Sequence, residues 1–294
     1  MNEALATPHT AHQIHDDTVI TGAPFPLVSA LFDIDGTLVG PDHSVAPRTR
    51  RALEALRAKG VKLGIATGRA SFAAEGIARD LVITGASMFF AGSLIKDLTT
   101  GDTLYTVELP HPAIAKILSL SRANNYHVEL YTESDFYAER MTEELVIHQQ
   151  YCDRPALLAP LRDVMTQATI IKSVMMATVG AAEDKLRREL AQIPEVAVTY
   201  SYGAAHADIV FANIVSAEAT RTAAFHELLK INGCSADQVA TFGDAEADCE
   251  FLKAARFGVA LANAAPQAKA AASFLTTRVN EGGVGLAIEK LFLP

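Results

Sequence analysis

Tryptophan is absent from the 294-residue chain, cysteine occurs only three times, and no apolar run approaches the roughly 20 residues that cross a bilayer. No membrane partner is therefore expected. Aromatic packing falls to 13 Phe and 7 Tyr. Cys152, Cys234 and Cys249 are widely spaced and form no Cys-x-x-Cys pair, which disfavours a disulfide framework or a cysteine-rich metal site and predicts reduced thiols in the cytoplasm. Positive charge is also scarce, with 25 Lys and Arg against 34 Asp and Glu and a formal net charge of −9. That balance disfavours a nucleic-acid surface, while a local basic pocket for a small anion stays open. The first 24 residues hold no Lys or Arg and no continuous apolar stretch, so they do not read as a secretion signal.

What is present suits a large folded core. Half of the residues are hydrophobic and a fifth are charged, the balance of a globular protein, and the length allows one large α/β unit or two domains. After a polar, flexible tail over residues 1–26, an apolar run at 27–32 reads as a buried strand. A helix at 47–59 closed by Gly60, a strand at 61–66 and a helix at 71–79 follow. This order predicts a parallel, doubly wound sheet. Beyond residue 90 the character changes: strand-like segments at 94–98 and 103–109 flank Thr-Thr-Gly-Asp and predict a hairpin. Helices at 113–124 and 182–192 then mix with strands at 127–131, 170–178 and 196–201. From residue 207 the first pattern resumes, with 209–211, helices at 217–231, 245–254 and 284–291, and strands at 239–242 and 257–260. The middle block reads as an α+β insertion over 91–206 in an α/β core made of 27–90 and 207–294.

Chemistry concentrates where the predicted strands end, the edge at which open α/β sheets bind ligands. The first strand runs into Asp33-Ile34-Asp35-Gly36-Thr37. In a still-extended chain Asp33 and Asp35 point to one side, about 7 Å apart. Such a pair can hold a divalent cation or divide the roles of nucleophile and proton carrier; a strand followed by an ordinary Asp-Gly turn is the plainer reading. The second strand ends in Ala66-Thr67-Gly68-Arg69, whose hydroxyl and open backbone N–H groups suit a phosphate or a helix cap. Another ends in Gly243-Asp244-Ala245-Glu246-Ala247-Asp248. On the first turn of a helix Asp244 and Asp248 share a face, which suits metal ligation or stabilisation of the helix dipole.

Together and in this order, these segments, with Gly258-Val259-Ala260-Leu261-Ala262-Asn263-Ala264 and Gly282-Gly283-Val284, resemble the haloacid dehalogenase (HAD) superfamily, specifically its Cof-type branch. The resemblance runs from residue 27 to the C-terminus. It implies an α/β fold with a Rossmann-like doubly wound parallel core and an inserted α+β cap domain. It also implies a Mg²⁺-dependent phosphatase of a small phosphorylated metabolite, a sugar phosphate being favoured, acting through an aspartyl-phosphate. On that resemblance Asp33 is the nucleophile and Asp35 the acid–base group, its carboxyl protonated when substrate arrives. Mg²⁺ is expected on the Asp33 carboxylate, the Asp35 carbonyl oxygen and Asp244, with Asp248 in support. Gly36, Thr67, Gly68 and Arg221 are expected around the phosphoryl oxygens.

Three positions depart from the family pattern. Arg221 stands where the family carries Lys, keeping the charge on a wider, bidentate fork. Ala247 and Ala91 each replace an Asn and remove hydrogen-bonding capacity near metal and phosphate. A phosphomutase on the same scaffold and a non-catalytic phosphate sensor are the alternatives. Label from ¹⁸O water in released phosphate separates the first, and tight phosphate binding without turnover marks the second. Other features take a structural reading: His9, His12 and His15 as solvated tail residues, Tyr131 and Tyr200-Ser201-Tyr202 as sheet packing, Met175-Met176 as core, and Arg187-Arg188 as solvated charge. Oligomeric state and natural substrate have no signature in the chain.

Overall fold

The computed structural model describes residues 11–18, 26–152, 154–202 and 206–293. Six strands form the first sheet in the order His12–Gln13, Phe274–Thr276, Phe257–Leu261, Val239–Gly243, Ser29–Phe32, Lys62–Ile65, and every adjacent pair is parallel. A parallel sheet is covered on both faces, so its strands read as continuous apolar runs. Accordingly, Ser29–Phe32, Val239–Gly243 and Phe257–Leu261 are buried throughout. Alternation sorts their side chains between two layers. Ala30 and Phe32 pack with Leu53 and Leu56 of helix Pro47–Ala58 and Ile288 of helix Gly283–Phe292, whereas Leu31 packs with Phe225 and Leu228 of helix Arg221–Asn232 and Phe251 of helix Cys249–Ala254.

A second sheet has the order Val196–Tyr202, Ile209–Ser216, Lys172–Thr178, His127–Tyr131, Phe136–Ala138, Leu157–Leu158, antiparallel except for its last pair. Its outer face carries Met175 and Leu130 against Ile114, Ile117 and Leu118 of helix His111–Asn124. Its inner face carries Met176, Tyr131 and Phe211 toward Phe72 and Phe90 of the first unit. Met175 and Met176 are thus both core residues, on opposite sides of one strand. A third, three-stranded sheet, Ala86–Phe89, Leu94–Asp97 and Thr103–Thr106, contains the predicted hairpin. A bridge from Ala66 to Met88 ties it to the first sheet, as do hydrogen bonds from Gly85 N–H to the Leu63 carbonyl and from Ile65 N–H to Ser87 Oγ, both at 2.9 Å.

Three expectations are corrected. The strand at 209–216 belongs to the second sheet, between its neighbours at 196–202 and 172–178, and not to the resumed core. The hairpin, expected in the insertion, packs Ile95 against Phe225 and Leu228 of the core helix. The inserted sheet and its helices therefore run from His111 to Ser216, inside the expected bounds at one end and beyond them at the other. Apolar periodicity identifies a strand but does not name its neighbours, which is why both edges moved.

The third correction concerns the tail. His12–Gln13 adds an edge strand beside Phe274–Thr276, Ile14 is 1% exposed within the core, and Asp16 pairs with Arg48 at 2.8 Å. One apolar residue among polar neighbours is too short a pattern to announce a strand. His12 packs its ring 5.7 Å from Phe274, while His9 lies outside the described residues. Ile14→Ala should therefore cost about 2 kcal/mol, seen as a lower urea midpoint at unchanged slope. A change within about 0.5 kcal/mol, as for a surface site, would mean the segment contributes nothing to the core.

Candidate active site

Adjacent strands lie about 4.8 Å apart, and the strand leading to Asp33 sits between those leading to Thr67 and to Asp244. Three sequence segments far apart in the chain therefore deliver their ends to one place. The ladder extends past the strand: Asp33 N–H donates to the Phe242 carbonyl at 2.9 Å, and Ala66 N–H donates to that of Phe32 at 2.8 Å. Asp33 is buried. Gly36 then turns the chain with φ +83°, and a Cβ on it would stand 2.2 Å from Asp244 Oδ2. Only glycine satisfies both the backbone and the carboxylate that rests on it. Thr37 Oγ1 donates to Asp244 Oδ1 at 2.8 Å, and Asn263 Nδ2 holds the Gly36 carbonyl at 2.8 Å.

After Asp244 the chain forms a 3₁₀ turn, Glu246–Asp248, and the α-helix starts only at Cys249. Asp244 and Asp248 are thus not partners on a helical face as expected. Asp248 folds back: its Oδ2 accepts the N–H groups of Asp244 and Ala245, both at 2.9 Å, and its Oδ1 accepts from the Arg221 guanidinium. Arg221 opens a helix whose N-cap, Thr220, accepts from Ala223 N–H at 3.0 Å. From there Arg221 Nη2 lies 4.0 Å from Asp33 Oδ1, and its Nε is buried without a hydrogen-bond partner. Arg221 thereby faces both Asp33 and the buried Asp248.

Oxygens of Asp33, Asp244 and Asp248 lie within 4.8 Å of one another. Burial drives the Asp33 carboxyl well above the usual carboxylate range; Asp248, Asp244 and Asp35 push the same way and Arg221 opposes them. Asp244 is raised to about 6, chiefly by burial, with Asp248 and Asp35 adding to it and the Thr37 hydrogen bond opposing. Three crowded acids and one guanidinium leave the site short of positive charge. That set of hard oxygen donors fits a divalent cation such as Mg²⁺. Both oxygens of Asp248 are already taken, so Asp33 and Asp244 are the carboxylates that would hold it, with Asp248 fixing the Asp244 backbone and Arg221.

Arg69 grips Asp35 through Nε at 2.8 Å and Nη2 at 2.6 Å, so both carboxyl oxygens accept from one guanidinium. Arg69 stands in the recognised Thr67-Gly68-Arg69 segment, yet nothing in the spacing announced this pair. Thr67 Oγ1 accepts from Arg69 N–H at 3.2 Å. Asp33, Asp35, Thr67, Gly68, Arg69 and Arg221 all open onto one cavity of about 670 Å³. Ala91 and Ala247 also line it, leaving methyl groups where the resembled family has amides. Ala91 sits in the left-handed region at φ 56°, and at Gly92 a Cβ would come 2.7 Å from the Thr220 carbonyl. The cavity lip thus rests directly on the N-cap of the Arg221 helix.

The opposite wall comes from the second sheet and includes Tyr131, His148, Cys152 and Lys172. Behind it Glu129, fully buried, accepts from His148 Nδ1 at 2.7 Å and Tyr131 OH at 2.7 Å on one oxygen and from His127 Nε2 at 3.0 Å on the other. Burial raises the Glu129 carboxyl, but His148 and His127 outweigh that and hold it at about 2. An ionised Glu129 requires its imidazole partners to donate. The motifs did not reveal this network. Its one sequence signal is the alternation of His127, Glu129 and Tyr131 on a single strand face.

Residues 30–288 match the family described as haloacid dehalogenase-like hydrolase. The chain is 27% identical over 265 residues to YxeH of Bacillus subtilis, a protein named provisionally as a phosphatase, covering 89% of this chain and 97% of that one. Its fold is similar to a haloacid dehalogenase-like hydrolase from Bacteroides thetaiotaomicron, with TM-score 0.77, 22% identity and coverage of 90% and 100%. It is also similar to the structure of a HAD subclass IIB sugar phosphatase, with TM-score 0.74, 22% identity and coverage of 89% and 98%.

The elevated Asp244 carboxyl has a measurable consequence. Its folded-state value of about 6 lies above its usual 3.8. Stability contributed by that proton is therefore complete below about pH 4 and lost as the pH rises through about 6. A cation needs the ionised form. MgCl₂ should raise the melting temperature clearly near pH 7.5 and little near pH 5, and not at all in Asp244→Asn. An equal shift at both pH values, or one that survives the substitution, would remove Asp244 from the metal site.

Proposed function

The chain belongs to the haloacid dehalogenase-like hydrolase family, as a hydrolase of phosphoric monoesters, and on that premise we propose that it is a Mg²⁺-dependent phosphatase of a small phosphorylated metabolite. One juxtaposition carries this reading: a buried aspartate flanked by Asp244 at a neighbouring strand end and by Arg221 at the start of a helix, opening onto a cavity large enough for a metabolite. When bound, Mg²⁺ supplies the positive charge that three clustered carboxylates and an incoming phosphate dianion lack.

In the proposed reaction an Asp33 carboxylate oxygen attacks phosphorus as the bond from phosphorus to the leaving oxygen breaks, which gives an aspartyl-phosphate. Asp35 gives its proton to that leaving oxygen. A water then attacks phosphorus, Asp35 takes its proton, and the bond to Asp33 breaks to regenerate the carboxylate and release phosphate. The Arg69 fork on Asp35 bears on the first step. An arriving phosphoryl dianion competes for the same guanidinium, which frees the protonated Asp35 carboxyl to face the leaving oxygen. Thr67, the Gly36 and Gly68 backbone and Arg221 hold the phosphoryl oxygens, and the Arg221 guanidinium faces Asp33 with opposite charge.

The second sheet is proposed to act as the cap that selects the leaving group. Its hydroxyl and amide side chains Thr199, Ser201 and Asn213 line the cavity, which supports a polar, sugar-like substrate.

Asp33→Asn should abolish hydrolysis of p-nitrophenyl phosphate in a folded protein, since an amide cannot form the acyl-phosphate. Residual activity above about a tenth of wild type would exclude Asp33 as nucleophile. Chelation by EDTA should silence the enzyme reversibly. For Arg221→Ala the expected loss is about 3 kcal/mol of transition-state stabilisation, roughly a hundredfold in kcat/KM. Near-normal kcat/KM in that variant would show that Arg69 or Lys172 serves the phosphate instead.

A further inference from the structure

Lys172 begins the strand Lys172–Thr178 and opens onto the cavity wall opposite Asp33. The other two cations of the cavity are engaged, Arg221 with Asp248 and Arg69 with Asp35. Lys172 is not: among the described residues none accepts a hydrogen bond from its ammonium and no carboxylate lies within 4 Å. Its nearest aromatic surface is the Tyr131 ring, whose centroid is 5.5 Å from Nζ. Glu129, the acid closest to it on its own wall, cannot serve as a partner, because its oxygens are filled by His148, Tyr131 and His127. An ammonium that faces the cavity without an acceptor is free to take one from a molecule bound there.

We propose that Lys172 is the seat for a second anionic group of the substrate, so that the metabolite carries a carboxylate or a further phosphate on its leaving-group side. This rests on the phosphatase reading, in which the core grips the transferred phosphoryl group and the wall opposite meets the remainder. A cavity of about 670 Å³ exceeds what one phosphate needs and leaves room for a spacer between the two anions. The ammonium is charged under working conditions: burial lowers Lys172 to about 8, with Cys152 and Glu129 opposing that fall. Tyr131 stands opposite it on the neighbouring strand with Glu129 two residues away, and His148 and Cys152 line the same wall. Asp33, Asp35, Arg69, Arg221 and Glu250 line the same cavity.

The test compares a hexose monophosphate with the corresponding hexose bisphosphate, using p-nitrophenyl phosphate as a reference, in wild type, Lys172→Met and Lys172→Arg. Wild type should favour the bisphosphate by about tenfold or more in kcat/KM. Lys172→Met should collapse that preference mainly through KM, and Lys172→Arg should restore it. The wild-type preference should fade as pH rises through about 8 and persist in Lys172→Arg, which stays charged. A melting temperature for Lys172→Met no lower than wild type shows that the fold is intact, and Met fills the same volume without a buried charge. Turnover of p-nitrophenyl phosphate with no preference for the bisphosphate, or a preference that survives Lys172→Met, would overturn the subsite alone. Turnover of none of the three substrates by wild type would overturn the phosphatase reading and the subsite together.

Discussion

The crowding of Asp33, Asp244 and Asp248 around a single guanidinium is the constraint on which the rest of this molecule depends. Like charges that close are tolerated only if their surroundings are rigid and their charge is offset. Every device nearby serves one of those ends. Asp248 is spent on two backbone N–H groups and Arg221, Thr37 pins Asp244, and Asn263 ties the Gly36 turn to the segment at Val279. Gly36 exists because Asp244 occupies the space a side chain would need. The parallel sheet below, buried on both faces, supplies the stiffness that keeps these groups from relaxing apart.

The same constraint explains why arginine is acceptable where the family carries lysine. Lysine is a compact point charge, whereas the guanidinium reaches Asp248 with one nitrogen and faces Asp33 with another. One side chain thereby serves two acids. The replaced asparagines follow a different logic. Ala91 and Ala247 line the cavity without polar atoms, so hydrogen bonding there is left to Thr67, Arg69 and the wall opposite. Ala91 keeps the left-handed backbone that asparagine adopts easily, and its neighbour Gly92 preserves the close approach to Thr220.

The wall formed by the second sheet is organised on an opposite principle. A single buried carboxylate, Glu129, is surrounded by donors and fully satisfied. The positive charge beside it remains available. One side of the cavity thus gathers acids and the other presents an ammonium.

From its residues alone this chain determined a doubly wound α/β core, an inserted α+β block, and the strand-end segments carrying Asp33, Thr67 and Asp244. Those features are local: an apolar run, a glycine at a turn and an acid next to it are readable within a few residues. The tertiary structure decided what depends on neighbours. It placed strand 209–216 in the inserted sheet, docked Ile14 into the core, gave Asp248 to Arg221 and Asp35 to Arg69, and assembled Glu129 with two histidines. Most of these pairings join positions well separated in the chain, and periodicity carries no information about which strand or side chain will stand opposite. Burial and charge compensation choose those partners, and they act only once the chain has folded.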